Sequence, residues 1–151
     1  MRLLRSTMLR ATGWRSETVT LLIALAAFAA PFPCTVIRVH DGDGPLWCAE
    51  GMKIRIAGIQ APDFDTAPPC HDRRRVNYRC DNAAAERSRQ VVEGLTLHRR
   101  LRCRPVALSY RRIVARCTLR DGRSLSCAVL AAGAAVRWDR YWQRYGMGDC
   151  R

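Results

Sequence analysis

Residues 34–63 read CTVIRVHDGDGPLWCAEGMKIRIAGIQAPD. Cys34 to His40 is β-branched and alternating, which predicts a strand. Asp41-Gly42-Asp43-Gly44 breaks it with turn residues, and Pro45 to Cys48 begins a second short strand. Glu50-Gly51 turns the chain into a third strand, Met52 to Ile59, with Ile54 and Ile56 on one face and Lys53 and Arg55 on the other. Three consecutive strands joined by tight turns form a meander able to curl into a small barrel.

The stretch from Gln60 to Arg79 carries Pro62, Pro68, Pro69 and the run Arg73-Arg74-Arg75, and reads as a surface loop. Asp81 or Asn82 is placed to cap a helix through Leu95 with Ala84, Ser88, Val91, Val92 and Leu95 on its apolar face. Leu97–Cys103 and Ile113–Leu119 read as the fourth and fifth strands, Asp121-Gly122 as a turn, and Leu125–Ala135 as an Ala-rich buried helix. The order β-β-β-α-β-β-α is that of a five-stranded OB-fold barrel, an α+β fold with two or three helices. Such a barrel alone accommodates nucleic acid, sugar or protein, so function must come from its site.

The first 30 residues stand apart from this domain. Arg2, Arg5, Arg10 and Arg15 precede an apolar run from Val19 to Ala30, and small residues lead to Pro31. That is the pattern of an export signal, and the run falls short of the ~20 apolar residues that span a bilayer comfortably. Residues 31–151 are then the exported domain, expected to be a monomer in the periplasm or outside the cell without stable membrane association. An uncleaved N-terminal anchor is the alternative. Eight cysteines follow this segment, an even number suited to a disulfide framework in an oxidising compartment. Nearest-neighbour pairing joins Cys34 to Cys48 across a hairpin, Cys70 to Cys80 around a loop, Cys103 to Cys117 across strands, and Cys127 to Cys150 at the C-terminus. No two cysteines form a CxxC or CxxH pair, which argues against a zinc site.

The chain holds 26 Lys+Arg against 13 Asp+Glu, a formal charge of +13 that suits a polyanionic partner. Every basic residue but Lys53 is Arg, whose planar fork matches phosphate. Three places hold candidate chemistry. Asp41-Gly42-Asp43 offers two hard carboxylates on a sharp turn to Ca²⁺ or Mg²⁺, although Asp-Gly is also ordinary hairpin chemistry. Arg55 lies within a barrel strand and needs a partner, either a phosphate or a carboxylate such as Asp43 or Asp63. Tyr110-Arg111-Arg112 enters the fifth strand, where an Arg can reach a phosphate from the side opposite Arg55. In the tail, Trp138, Tyr141 and Trp142 are placed either to pack or to stack on bases.

In order and spacing, VIRVHDGDG, MKIRIAGIQAPD, SYRRIVARCTL and SCAVLAAGAAVRW together resemble the staphylococcal nuclease (thermonuclease) family from about Cys34 to Trp138. The resemblance implies the OB barrel, Ca²⁺-dependent phosphodiester hydrolysis, and DNA and RNA as substrates. By position it implies a metal-binding carboxylate at Asp43, a supporting acid at Asp41, and a metal-binding main-chain carbonyl at Ala61. Arg55 and Arg112 match the arginines that clamp the scissile phosphate, and Tyr110, with Arg111 beside it, matches the tyrosine at the substrate. Asp63 stands where the family has the glutamate that handles the attacking water. Gln60 stands where it has a second metal-binding aspartate, Gly44 where it has a threonine, and Arg111 where it has a glycine. Both positions on the Gln60–Asp63 turn thus depart from the pattern, so the alternative is an inactive barrel that binds nucleic acid or another polyanion. A third possibility is an exported, disulfide-stapled protein whose partner is another protein.

Overall fold

A computed structural model describes residues 30–72 and 80–150; the N-terminal segment and the Arg73-Arg74-Arg75 run lie outside the described residues. Strands β1 (Phe32–Val39), β2 (Leu46–Cys48), β3 (Lys53–Ile56), β5 (Arg100–Ser109) and β6 (Arg112–Thr118) close into a barrel in the order β1-β2-β3-β6-β5. All neighbours are antiparallel except β3 and β6, which run parallel with Ile54 opposite Ile113 and Arg55 opposite Val114. Alternation turns Val36, Leu46, Ile54, Ile56, Leu101 and Ala115 into the core, where each is at most 2% exposed.

Helix α1 (Asn82–Thr96) begins at Asp81, whose side chain accepts from the Ala84 amide at 3.0 Å and so satisfies a free first-turn donor. Its fully buried positions are Ala85, Ser88, Val92 and Thr96, with Ala84, Val91 and Leu95 only partly covered. The buried stripe is therefore rotated from the expected one. Two hydroxyls enter it because each has a partner: Ser88 donates to the Ala134 carbonyl and Thr96 to the Val92 carbonyl at 2.7 Å.

Helix α2 (Leu125–Ala131) ends earlier than the expected Ala135. Gly133 takes φ +67 there, and the amides of Gly133 and Ala134 close back on the carbonyls of Leu130 and Val129. The expected third strand also divides. Gly58 at φ +75 turns the chain out of the barrel, and β4 (Ile59–Gln60) pairs instead with β7 (Val136–Arg137). A one-turn 3₁₀ helix at Pro68–His71 lies within the expected loop, and α3 (Asp139–Arg144) gives the tail regular structure. All four nearest-neighbour disulfides are present, and Cys103 and Cys117 are direct cross-strand partners. Such bonds fit an oxidising compartment. Among the described residues, no helix is long and apolar enough to cross a membrane.

Candidate functional site

The DGDG turn between β1 and β2 is pressed into the protein. Asp41 is 7% and Asp43 3% exposed. A Cβ added to Gly42 would meet Ser88 Oγ at 1.6 Å and the Ala61 Cβ at 2.8 Å, so only glycine fits between α1 and the segment after β4. Gly44, at φ +110, passes the Ile54 carbonyl closely enough that a Cβ would sit 2.5 Å from it. These two glycines let a pair of carboxylates enter the end of the barrel.

Each acid has defined partners. Asp41 Oδ1 accepts from the Asp43 amide at 3.1 Å, which ties the turn to itself. Asp43 Oδ1 accepts from Arg55 Nη1, and its Oδ2 accepts from the Ala61 amide at 2.9 Å. Arg55 continues outward, where its Nη2 donates to Gln60 Oε1 at 3.1 Å and to the Ile59 carbonyl at 3.3 Å. Gln60 Nε2 then donates to the Ala61 carbonyl at 3.2 Å and to Asp63 Oδ2 at 3.5 Å. An amide at position 60 thus accepts from Arg55 and donates toward Asp63, which a carboxylate cannot do.

Burial, with the Asp43 charge adding to it, raises the Asp41 carboxyl from 3.8 to about 7. Burial pushes Asp43 up as well, while the Arg55 charge and the Ala61 amide pull against it. Burial thus favours the protonated form of the turn's carboxyls, and Arg55 works against it at Asp43.

The oxygens of Asp41, Asp43, Gln60 and Ala61 are chemically suited to a hard divalent cation. The Asp43 oxygens are already held by Arg55 and the Ala61 amide, and Gln60 occupies the Ala61 carbonyl. Among the described residues, no three His, Cys, Asp or Glu side chains converge as metal ligands. The donor chemistry fits a cation with two carboxylates, one amide oxygen and one main-chain oxygen, and these groups must release their present partners to take it.

Arg112 opens β6, one step before the Ile54–Ile113 pair. Strand alternation puts it on the same face as Arg55, on the order of 8 Å away between Cα atoms. Tyr110 and Arg111 form the two-residue tip between Ser109 and Arg112, and Tyr110 is 96% exposed at φ +56. This tip is not drawn into the Asp43–Arg55–Gln60 network.

The tail aromatics differ in burial. Trp142 is 8% exposed and belongs to the core. Trp138 is 41% exposed, with the Arg55 guanidinium 5.7 Å from its ring centre and Tyr141 edge-on at 4.3 Å. The β4–β7 pairing brings it there, since the Trp138 amide donates to the Gly58 carbonyl at 2.9 Å. His40 lies edge-on to both Trp47 and Phe64, the residue after Asp63. The Trp138, Tyr141, Trp142, Tyr145 spacing is a helical stripe visible in the sequence; nothing local in the sequence links His40 to Phe64.

Compared with models of protein families and with curated proteins, the chain matches none.

Proposed function

We propose that the protein is an exported nuclease of the staphylococcal-nuclease type, an OB-fold barrel that hydrolyses phosphodiester bonds in DNA or RNA with little sequence preference. Ca²⁺ or another divalent cation is its cofactor, held by Asp43, Gln60, the Ala61 carbonyl and, in support, Asp41. The cation, when bound, polarises the phosphate and lowers the barrier to attack by water.

The observation that carries this reading is the convergence of residues 41–43, 55 and 60–63 in one hydrogen-bonded cluster, with Arg112 on the adjoining strand. Water attacks phosphorus as the bond to the leaving oxygen breaks; Asp63 orients the water or takes its proton, and the leaving oxygen takes a proton from solvent. Arg55 and Arg112 meet the negative charge that grows on the phosphate oxygens, and being fixed on barrel strands they need little reorganisation to do so. Trp138 offers an aromatic face for a base beside the phosphate. Backbone contacts make binding tolerant of sequence and sensitive to salt.

One observation favours a barrel that binds polyanions without cleaving them. The Ala61 carbonyl and Gln60 Oε1, two of the proposed cation donors, are already taken by Gln60 Nε2 and Arg55. The combined substitution Gln60→Asp and Asp63→Glu separates the readings. It restores a charged ligand and roughly an ångström of reach to the water-handling acid, so cleavage of single-stranded DNA should rise about tenfold or more. Unchanged or lower activity in the folded double variant would remove the roles given to these two positions.

A further inference from the structure

We propose that the outer face of the β5–β6 hairpin is a second phosphate-binding surface, which holds the polynucleotide along β6 beyond Arg112. The identity of the polymer rests on the nuclease-type reading above; the surface itself rests on different residues.

Alternation along β5 sends Arg100, Arg102 and Arg104 to the outside, and along β6 it does the same for Arg112 and Arg116, with Arg120 just after the strand. Arg100, Arg102, Arg104, Arg116 and Arg120 are all exposed. Arg104 stands directly opposite Arg116 in the register. Like charges in that position destabilise a β pair. No acidic side chain among the described residues forms an ion pair with either of them. The acids nearest this end have other partners: Asp121 pairs with Arg123 at 2.8 Å, and Glu50 accepts from the amide and hydroxyl of Thr35. Arg100 adds only a minor attraction to Glu50.

The surface has shape as well as charge. A cleft of about 530 Å³ opens at its far end, lined among others by Phe32, Pro33, Arg100, Arg102, Thr118 and Arg120. Arginine edges beside an aromatic ring and prolines suit a sugar-phosphate chain better than an isolated ion. From Arg112 to Thr118 the strand runs roughly 20 Å, several phosphates long, and it starts at a residue of the proposed clamp. Val114, between Arg112 and Arg116 on this face, is buried, so the contacts fall in two groups on one strand; charge complementarity and this shared strand select a nucleic acid strand as the occupant.

The test is binding of a fluorescently labelled single-stranded 30-mer DNA to the oxidised protein in chelator, over a range of NaCl concentrations. The variant Arg104→Gln/Arg116→Gln is compared with the charge-matched Arg87→Gln/Arg144→Gln, which removes exposed arginines on α1 and α3. The first variant should bind at least fivefold more weakly at 150 mM NaCl, and its log K against log salt slope should flatten by roughly 0.7 for each phosphate no longer neutralised. The second should bind nearly as the wild type does. Arg104→Glu is the independent check: with Arg116 given a partner, its melting temperature should rise by roughly 1–4 °C while binding weakens. Equal losses in the two double variants, or none in either, would overturn the proposal. So would a defect seen only with anionic phospholipid vesicles. If the protein cleaves nothing yet shows the predicted binding defect, the surface stands and the nuclease reading fails.

Discussion

The two charged regions of this barrel obey opposite rules. At the β1–β2 end, Asp41, Asp43 and Arg55 are largely withdrawn from water, and Asp43 accepts from both Arg55 and the Ala61 amide. Along β5–β6 the arginines stand in solvent, two of them face to face, without carboxylate partners among the described residues. Buried charge is tolerated only with partners in place, so substitutions there strike both fold and function. Exposed like charge costs little in water and is screened by salt, so substitutions there should leave the fold intact and act only on the proposed binding. Loss of function alone therefore says little about the first region and a great deal about the second.

The largest expected effect comes from breaking the buried pair. Arg55→Ala leaves Asp43 without its cation and should cost about 3–5 kcal/mol in denaturant unfolding, whereas Arg104→Ala should leave stability within about 0.5 kcal/mol. Similar costs for both would erase the contrast. Next is Gly42→Ala, whose methyl has no room against Ser88 and Ala61; overpacking should cost about 2–3 kcal/mol. A neutral result would mean that the turn is not wedged under α1.

A subtler prediction concerns pH. The folded Asp41 carboxyl titrates at about 7 against an ordinary 3.8, so the folded state binds that proton more tightly. The stabilisation is present below about pH 4 and is lost as pH rises toward 7. In chelator, the stability difference between wild type and Asp41→Asn should therefore shift against the wild type across that window. A difference that stays flat with pH would show that Asp41 is not desolvated. The smallest effect is at the hairpin tip, where Tyr110 holds a left-handed conformation that favours glycine; Tyr110→Gly should add about 1 kcal/mol of stability.

Much of the fold is legible in the sequence because its signals are local. The alternation in CTVIRV and KIRI marks β1 and β3, Asp81 marks the start of α1, and half-cystines close in sequence mark all four disulfides. The failures come from distant partners. Local pattern ends the fourth strand at Cys103, but β5 continues past Pro105 to Ser109 because the β6 pairing shifts register just there and accommodates the proline. Ile59 and Gln60 leave the barrel for residues 136–137, a pairing no local pattern announces.

The site is legible in kind and hidden in arrangement. Asp43, Arg55 and Asp63 are marked by residue type and spacing, Gln60 only by the family resemblance, and the four do come together. Sequence alone leaves the partner of Arg55 open between phosphate and carboxylate; here it is Asp43. Only three-dimensional packing buries the DGDG turn, sets Gln60 between Arg55 and Asp63, and carries Trp138 back beside Arg55.

The most direct test of the central claim is cleavage of single-stranded DNA and RNA by the oxidised protein, with Ca²⁺ and with chelator, for wild type, Arg112→Gln and Arg55→Lys. Arg55→Lys keeps a cation beside Asp43 and loses the fork, and Arg112→Gln spares the buried pair, so both variants should remain folded. Ca²⁺-dependent hydrolysis by the wild type should fall about 100-fold or more in each folded variant. Absence of cleavage by the wild type with any divalent cation, or cleavage that survives both substitutions, would contradict it.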